Sequence, residues 1–105
     1  MTEIIDNYEK SVKMILETKG REFGLLYHRL LVEERETLNH YIRLGASVLL
    51  TRDNIMSGGS FVQSIVDNKL YETFAKADNI AEKGIKFFVY LREHIYLDEK
   101  GNINY

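Results

Sequence analysis

The residues best suited to ligand chemistry lie in a short loop of glycine and serine, directly before a helix-like apolar pattern. The loop consists of Ser57, Gly58, Gly59 and Ser60. Consecutive backbone N–H groups at the start of a helix can hold a phosphate, and glycines let a ligand approach the backbone closely. Arg52 before the loop and Lys69 after it could supply countercharge. The sequence therefore predicts these six residues as a binding set for a phosphate-bearing ligand.

The same loop has a second interpretation, as a turn followed by a helix cap. Ser57 or Ser60 could cap the next helix, because serine is favoured at that position. The loop is not a Walker A pattern, since no Lys-Ser or Lys-Thr pair follows at the required spacing. It is not a dinucleotide-binding fingerprint either, since no credible strand precedes it. Both interpretations, anion site and structural turn, stay open at this point.

The remaining polar residues do not form a metal-binding or catalytic pattern. Glu36 and His40 lie four residues apart on one predicted helix face, but His28 and His94 lie elsewhere along the chain. A protein metal site usually needs three or four ligands. The chain has no cysteine, and its serines lie in no recognisable nucleophile elbow. We therefore predict no metal, no cofactor and no enzymatic activity.

Composition indicates a small globular protein. The chain has 105 residues, of which 45% are hydrophobic and 29% charged, and its formal net charge is -2. A protein that coats DNA without specificity needs a basic excess, so we expect no generic DNA binding. No stretch approaches the roughly 20 apolar residues that a membrane helix requires. We expect a single soluble domain over residues 1–105, located in the cytoplasm.

The spacing of apolar residues predicts an all-α fold, a small bundle of four or five helices. An amphipathic first helix ends near Gly20. From Arg21 the pattern fits one long helix or two helices broken near residues 33–36. A short helix follows the glycine loop and is then extended or restarted. Asp78 or Asn79 can cap the last helix. Residues 98–105 are predicted as a flexible tail or a short extended arm, with a turn at Glu99, Lys100 and Gly101.

The last helix is apolar around more than one face. Its apolar residues are Ala81, Ile85, Phe87, Phe88, Tyr90, Leu91 and Ile95. A domain of this size buries a modest core, so such a helix is expected at the centre or at a contact between copies. We therefore predict a homo-oligomer. Tyrosines spread over several helices could line that contact or stack on a nucleobase.

Between Gly59 and about Leu91 the chain resembles a family of short proteins from bacteriophages and prophages. The shared pattern is Gly-x-Phe, an apolar run that ends in Asn-x-Leu, and Phe-x-x-Ala-Asp before an aromatic-rich helix. The residues that carry it are Gly59, Phe61, Val62, Ile65, Val66, Asn68, Leu70, Phe74, Ala77, Asp78, Tyr90 and Leu91. Lys69 stands where that family usually has an acidic residue. The resemblance covers about a third of the chain.

This resemblance implies a phage or mobile-element origin, and hence a small accessory protein that acts on the host or its defences. Together with the glycine loop it predicts a non-catalytic phage protein in the host cytoplasm, one that binds and sequesters a phosphate-bearing nucleotide signal. The alternative is a protein–protein inhibitor that docks on a host defence enzyme or nuclease. The near-neutral charge and the lack of a catalytic constellation fit this alternative equally well.

Overall fold

The computed structural model describes residues 2–103, and these fold into helices around one hydrophobic core. Its α-helices are α1 (Thr2–Lys19), α2 (Tyr27–Glu33), α3 (Arg35–Arg52), α4 (Ser60–Val66), α5 (Leu70–Lys76) and α6 (Asn79–His94). A single 3-10 turn, Gly20–Phe23, joins α1 to α2. The all-α prediction is confirmed for this part of the chain. Six α-helices are present there, not four or five, because both segments with ambiguous boundaries divide in two.

Local backbone geometry explains the two divisions. Glu34 leaves the helical region with φ -141° and ends α2, and its carbonyl then accepts the first hydrogen bond of α3. At the end of α4, Asn68 takes a left-handed conformation with φ 59°. Asparagine adopts this conformation more readily than most residues, so it can stop one helix and start another within a few residues.

Helix α3 is the centre of the fold and packs against α1, α2, α4 and α6. At Gly45 the helices α1 and α6 approach the backbone of α3 closely. A Cβ at this position would lie 2.8 Å from Val12 Cγ1 and 2.9 Å from Leu91 Cδ1. Those distances leave no room for a larger residue. Gly45 therefore allows a close contact between α1, α3 and α6.

Helix α6 is covered by its own chain. Asp78 caps it, as expected, with a side-chain oxygen 2.6 Å from the N–H of Ala81. Phe87, Phe88 and Leu91 are completely buried among the other helices. Of the seven apolar residues named for the last helix, five are buried and two, Tyr90 and Ile95, are half-buried. These residues do not require a second copy to cover them, and the homo-oligomer stays a prediction.

Residues 98–103 differ from the flexible tail or extended arm that the sequence predicted. They form a tight turn on α1, closed by an isolated antiparallel bridge between Leu97 and Ile103. Ser11 Oγ donates a 2.7 Å hydrogen bond to the carbonyl of Gly101. Gly101 has φ 89°, and a Cβ there would lie 2.6 Å from the Tyr8 ring, so glycine is required. The last two residues of the predicted tail, 104 and 105, lie outside the described residues.

Candidate functional site

The glycine loop connects α3 to α4, and its two glycines have different surroundings. A Cβ on Gly58 would lie 2.5 Å from Val62 Cγ1 and 2.8 Å from Thr51 Oγ1, whereas a Cβ on Gly59 would meet nothing within 4 Å. Gly59 occupies the N-cap position, and no side chain caps α4. The prediction that Ser57 or Ser60 caps this helix is therefore wrong. Gly58 is needed for packing, and Gly59 leaves the backbone open to solvent.

Arg52 does not face the loop, because its guanidinium caps the carboxyl end of α6. Its Nη1 lies 3.2, 3.0 and 2.6 Å from the carbonyl oxygens of Leu91, Arg92 and Ile95. The ring of Tyr96 lies 4.6 Å below the guanidinium carbon. A cation at the carboxyl end of a helix satisfies carbonyls that have no partner within the helix and complements the helix dipole. Arg52 thus has a structural role.

A second contact extends this cap to α1. Asp53 accepts hydrogen bonds from Arg52 Nε at 2.9 Å and from the Tyr8 hydroxyl at 2.7 Å. Burial and the hydrogen bond to Asp53 raise the pKa of Tyr8, which keeps the phenol protonated as a donor. Arg52 Nε and Nη1 thus contact a carboxylate and three carbonyls, and its Nη2 is buried without a partner, so the guanidinium is held against α6 and does not supply countercharge at the glycine loop.

Lys69 lies at the far end of α4 from the glycine loop. It lies three residues beyond Val66, the last residue of this seven-residue helix, which at about 1.5 Å per residue is roughly 10 Å long. Its side chain is exposed. The structure therefore keeps Ser57, Gly58, Gly59 and Ser60 together at one end of α4 and does not bring Arg52 or Lys69 to them.

Helix α5 carries the most exposed apolar surface in the described chain. Leu70 is 68% exposed, Tyr71 85% and Phe74 49%. Together with Ala75 they line a shallow apolar depression. At 3.6 residues per turn, these four residues fill a continuous arc of about 140° around the helix. We call the surface of Leu70, Tyr71, Phe74 and Ala75 the α5 face.

The opposite side of α5 attaches it to the protein through hydroxyl groups. Thr73 is the single buried residue of this helix. Its Oγ1 lies 2.9 Å from Ser64 Oγ on α4, and the two are buried together. Thr73 Oγ1 also donates to the carbonyl of Lys69 at 2.9 Å. An ordinary surface helix buries apolar residues and exposes polar ones. Helix α5 has the opposite arrangement, because the polar Thr73 is buried and the apolar residues face solvent.

The sequence predicted that the helix after the glycine loop is extended or restarted, but it did not identify the α5 face. One available signal was the position of Tyr71 and Ala75, which continue the apolar arc of Leu70 and Phe74 to about 140°. What the sequence lacked was the identity of that neighbour. In the structure it is α4, itself a seven-residue helix.

Other features of the described residues bear on function as well. Residues 2–103 contain no group of three or more His, Asp or Glu side chains placed to hold a metal ion. None of the helices in this part of the chain is long and apolar enough to cross a membrane. His40 Nε2 lies 3.9 Å from a carboxylate oxygen of Asp78, the N-cap residue of α6, and not beside Glu36 on its own helix.

No protein-family model, no curated protein and no solved structure matches this chain. The resemblance to short phage proteins therefore stays a prediction. The features of the molecule that bear on its function are the α5 face and the glycine loop.

Proposed function

We propose that this chain is a small non-catalytic binding protein that docks on a partner protein through the α5 face. The observation that carries the proposal is the exposure of Leu70, Tyr71 and Phe74 on one side of a single helix. Exposed apolar residues scattered singly are ordinary on protein surfaces, whereas a contiguous cluster marks an interaction site. The cluster includes two aromatic residues, a type enriched in protein interfaces.

The geometry of α5 suits one particular mode of recognition. Leu70, Tyr71 and Phe74 are spaced by one, three and four residues, as are the anchors of amphipathic helices that bind in apolar grooves. The apolar arc faces outward because the Thr73 hydroxyl, on the opposite side, fixes the helix to Ser64. We therefore infer that the partner presents an apolar groove that receives α5. This proposal corresponds to the protein–protein inhibitor that the sequence predicted as the alternative, with α5 as its docking element.

The resemblance to short phage proteins indicates which class of partner protein to expect. If the chain acts on host defences, the groove belongs to a defence enzyme or nuclease of the host. A second copy of the chain is the other possible occupant, and the homo-oligomer prediction would then rest on α5 instead of α6. Sedimentation of the purified chain at micromolar concentration separates the two, since a monomeric mass excludes the second copy.

Matched substitutions test the proposal. Tyr71→Glu places a charge at the centre of the α5 face, and Val32→Glu places one at an isolated exposed valine on α2. These two side chains are 85% and 83% exposed, so neither substitution should affect folding. A partner captured by the wild-type chain from host cells and identified by mass spectrometry is expected to bind Val32→Glu normally and Tyr71→Glu at least tenfold more weakly. Equal binding of that partner to both variants would refute the proposal.

Sequestration of a phosphate-bearing nucleotide stays a second proposal. The open backbone at Gly59 supports it, because a ligand could approach there without meeting a side chain. A ligand that binds only the folded state raises the melting temperature. A thermal-shift screen with cyclic and linear nucleotides, repeated with Gly59→Asp, therefore tests this idea. A shift that is lost in Gly59→Asp would support the loop as the site, whereas the absence of any shift would remove nucleotide sequestration.

A further inference from the structure

A cleft between α2, α3 and α6 lies apart from both the glycine loop and the α5 face. Its volume is about 380 Å³, within the range of sites that bind small molecules. Leu25, Leu30 and Ile80 form the apolar part of its wall. The cleft therefore has the size and the apolar surface to hold a molecule of about ten non-hydrogen atoms.

Tyr41 lines this cleft with a buried side chain whose hydroxyl has no protein partner among the described residues. It is 3% exposed, and its ring packs near Phe88 and Gly84. A buried tyrosine hydroxyl usually has a hydrogen-bond partner. Tyr8, which is 2% exposed, follows that rule by donating to Asp53. The Tyr41 hydroxyl differs from that of Tyr8, because it is not fully buried and is reached from the cleft, so it is free to donate to a molecule that enters there.

Charged side chains of both signs surround the cleft. Arg29 and Lys83 contribute two positive charges and Glu34 contributes one negative charge. Arg29 also pairs with Glu33 at 3.0 Å, but both side chains are well exposed, and pairs of this kind are weak enough to exchange for a ligand. Burial, followed by the nearby carboxylates of Glu34 and Asp78, raises the pKa of Tyr41. Tyr41 therefore stays protonated and can donate a hydrogen bond.

We propose that this cleft binds a small organic monoanion with an apolar body. The anionic group meets Lys83 and Arg29, an acceptor oxygen takes the hydrogen bond of the Tyr41 hydroxyl, and the apolar body packs on Leu25 and Leu30. Lys83 and Arg29 are the two basic side chains of the lining that can contact a single negative charge. Thr37 on α3 adds a second hydroxyl to the same wall.

The first probe is 4-fluorobenzoate, compared with the neutral 4-fluorobenzyl alcohol. Titration of the full chain is followed by ¹⁵N–¹H NMR, which locates the bound molecule as well as its affinity. We expect saturable shifts with benzoate, concentrated at Gly24, Leu30, Thr37 and Lys83, with a Kd of about 1 mM or tighter for a molecule of this size. The alcohol should bind at least tenfold more weakly. No saturable shift with benzoate, or equal binding of the alcohol, would overturn the proposal.

Variants then identify the groups that hold the probe. Tyr41→Phe keeps the ring and loses the hydroxyl donor, so benzoate binding should weaken about tenfold while thermal unfolding stays close to that of the wild type. Lys83→Gln should weaken binding by a similar factor. Lys86→Gln, three residues along the exposed side of α6, is the matched control and should change nothing. If Tyr41→Phe does not fold, the comparison of Lys83→Gln with Lys86→Gln still tests the site. Equal binding of 4-fluorobenzoate by these two variants would contradict the assigned site.

Discussion

Helices α5 and α6 follow one another in the chain and both carry apolar residues at helical spacing, yet they use them in opposite ways. Most apolar residues of α6, which packs on α3, are buried, and Phe87, Phe88 and Leu91 are fully inaccessible. Those of α5 face solvent, and this helix is attached through Thr73. Apolar periodicity therefore shows that a helix has a face to cover, and the neighbouring elements decide whether the chain covers it. An uncovered face is one that a partner can use.

The largest expected effect compares the same substitution in the two helices. Leu91→Ala removes a fully buried side chain from the junction of α1, α3 and α6, and should lower the free energy of unfolding by about 3–5 kcal/mol. Leu70→Ala removes a side chain that is already mostly in water, and should change it by no more than about 0.5 kcal/mol. Chemical denaturation measures both. A loss above about 2 kcal/mol for Leu70→Ala would show that the α5 face is part of the core.

A second comparison concerns the two basic residues that were assigned to the glycine loop. Arg52→Met removes the cap of α6 and leaves Asp53 without its charged donor, which should cost about 2–3 kcal/mol of unfolding free energy. Lys69→Met, at an exposed position, should cost less than about 0.5 kcal/mol. Denaturation of both variants separates a structural role from a free surface charge. Arg52→Met with wild-type stability would return this arginine to the list of residues free to bind a ligand.

The attachment of α5 gives a smaller and more local effect. Thr73→Val keeps the shape of the side chain but removes the hydroxyl that contacts Ser64 and donates to the carbonyl of Lys69, so α5 should be destabilised by about 1–2 kcal/mol. Hydrogen exchange should become faster at the amides of α5 and stay unchanged in the middle of α6. Thr73→Ser retains the hydroxyl and serves as the control. Equal acceleration in both helices would mean that α5 and α6 unfold as one unit.

The smallest effect concerns residues 98–103, the segment that follows α6 and packs on α1. Backbone N–H groups of Asn102, Lys100 and Gly101 lower the pKa of Asp98. Because the folded-state pKa lies below the ordinary value, this contribution to stability is complete above about pH 4 and is lost as the pH falls through the folded-state pKa. The amides of Lys100 and Asn102 should therefore shift in acid, followed by NMR. The same titration of Asp98→Asn should be flat, and identical titrations would contradict the role of the carboxylate.

Structural features that depend only on residues close together in the sequence, within one helix, could be predicted from the sequence. The apolar spacing of α6 and the cap at Asp78 are of this kind, because a cap reaches only two or three residues along the chain. The position of Arg52 is different, since it caps carbonyls about forty residues away and depends on how α3 and α6 cross. The same holds for the cleft at Tyr41, whose walls come from three helices. No local pattern encodes those distances.

The glycine loop shows the same limit at shorter range. Its glycines were identified correctly as a break before a helix, but the two have separate roles. Gly58 is required by the side chains of Thr51 and Val62, and a contact with the preceding helix could not be read from the loop itself. Gly59 takes the N-cap position that was expected for a serine. A turn composed of glycine and serine thus predicts a helix start better than it predicts which residue caps it.

The most direct test of the central claim, that the α5 face contacts a partner protein, is site-specific photo-crosslinking. A benzophenone amino acid replaces Tyr71 in one protein and Val32 in another, both at side chains that are more than 80% exposed. The chains are then irradiated in cells that naturally make the protein. We expect a discrete crosslinked protein from position 71 and none from position 32. Crosslinking only from position 32, equal crosslinking from both positions, or none from position 71 would contradict the account.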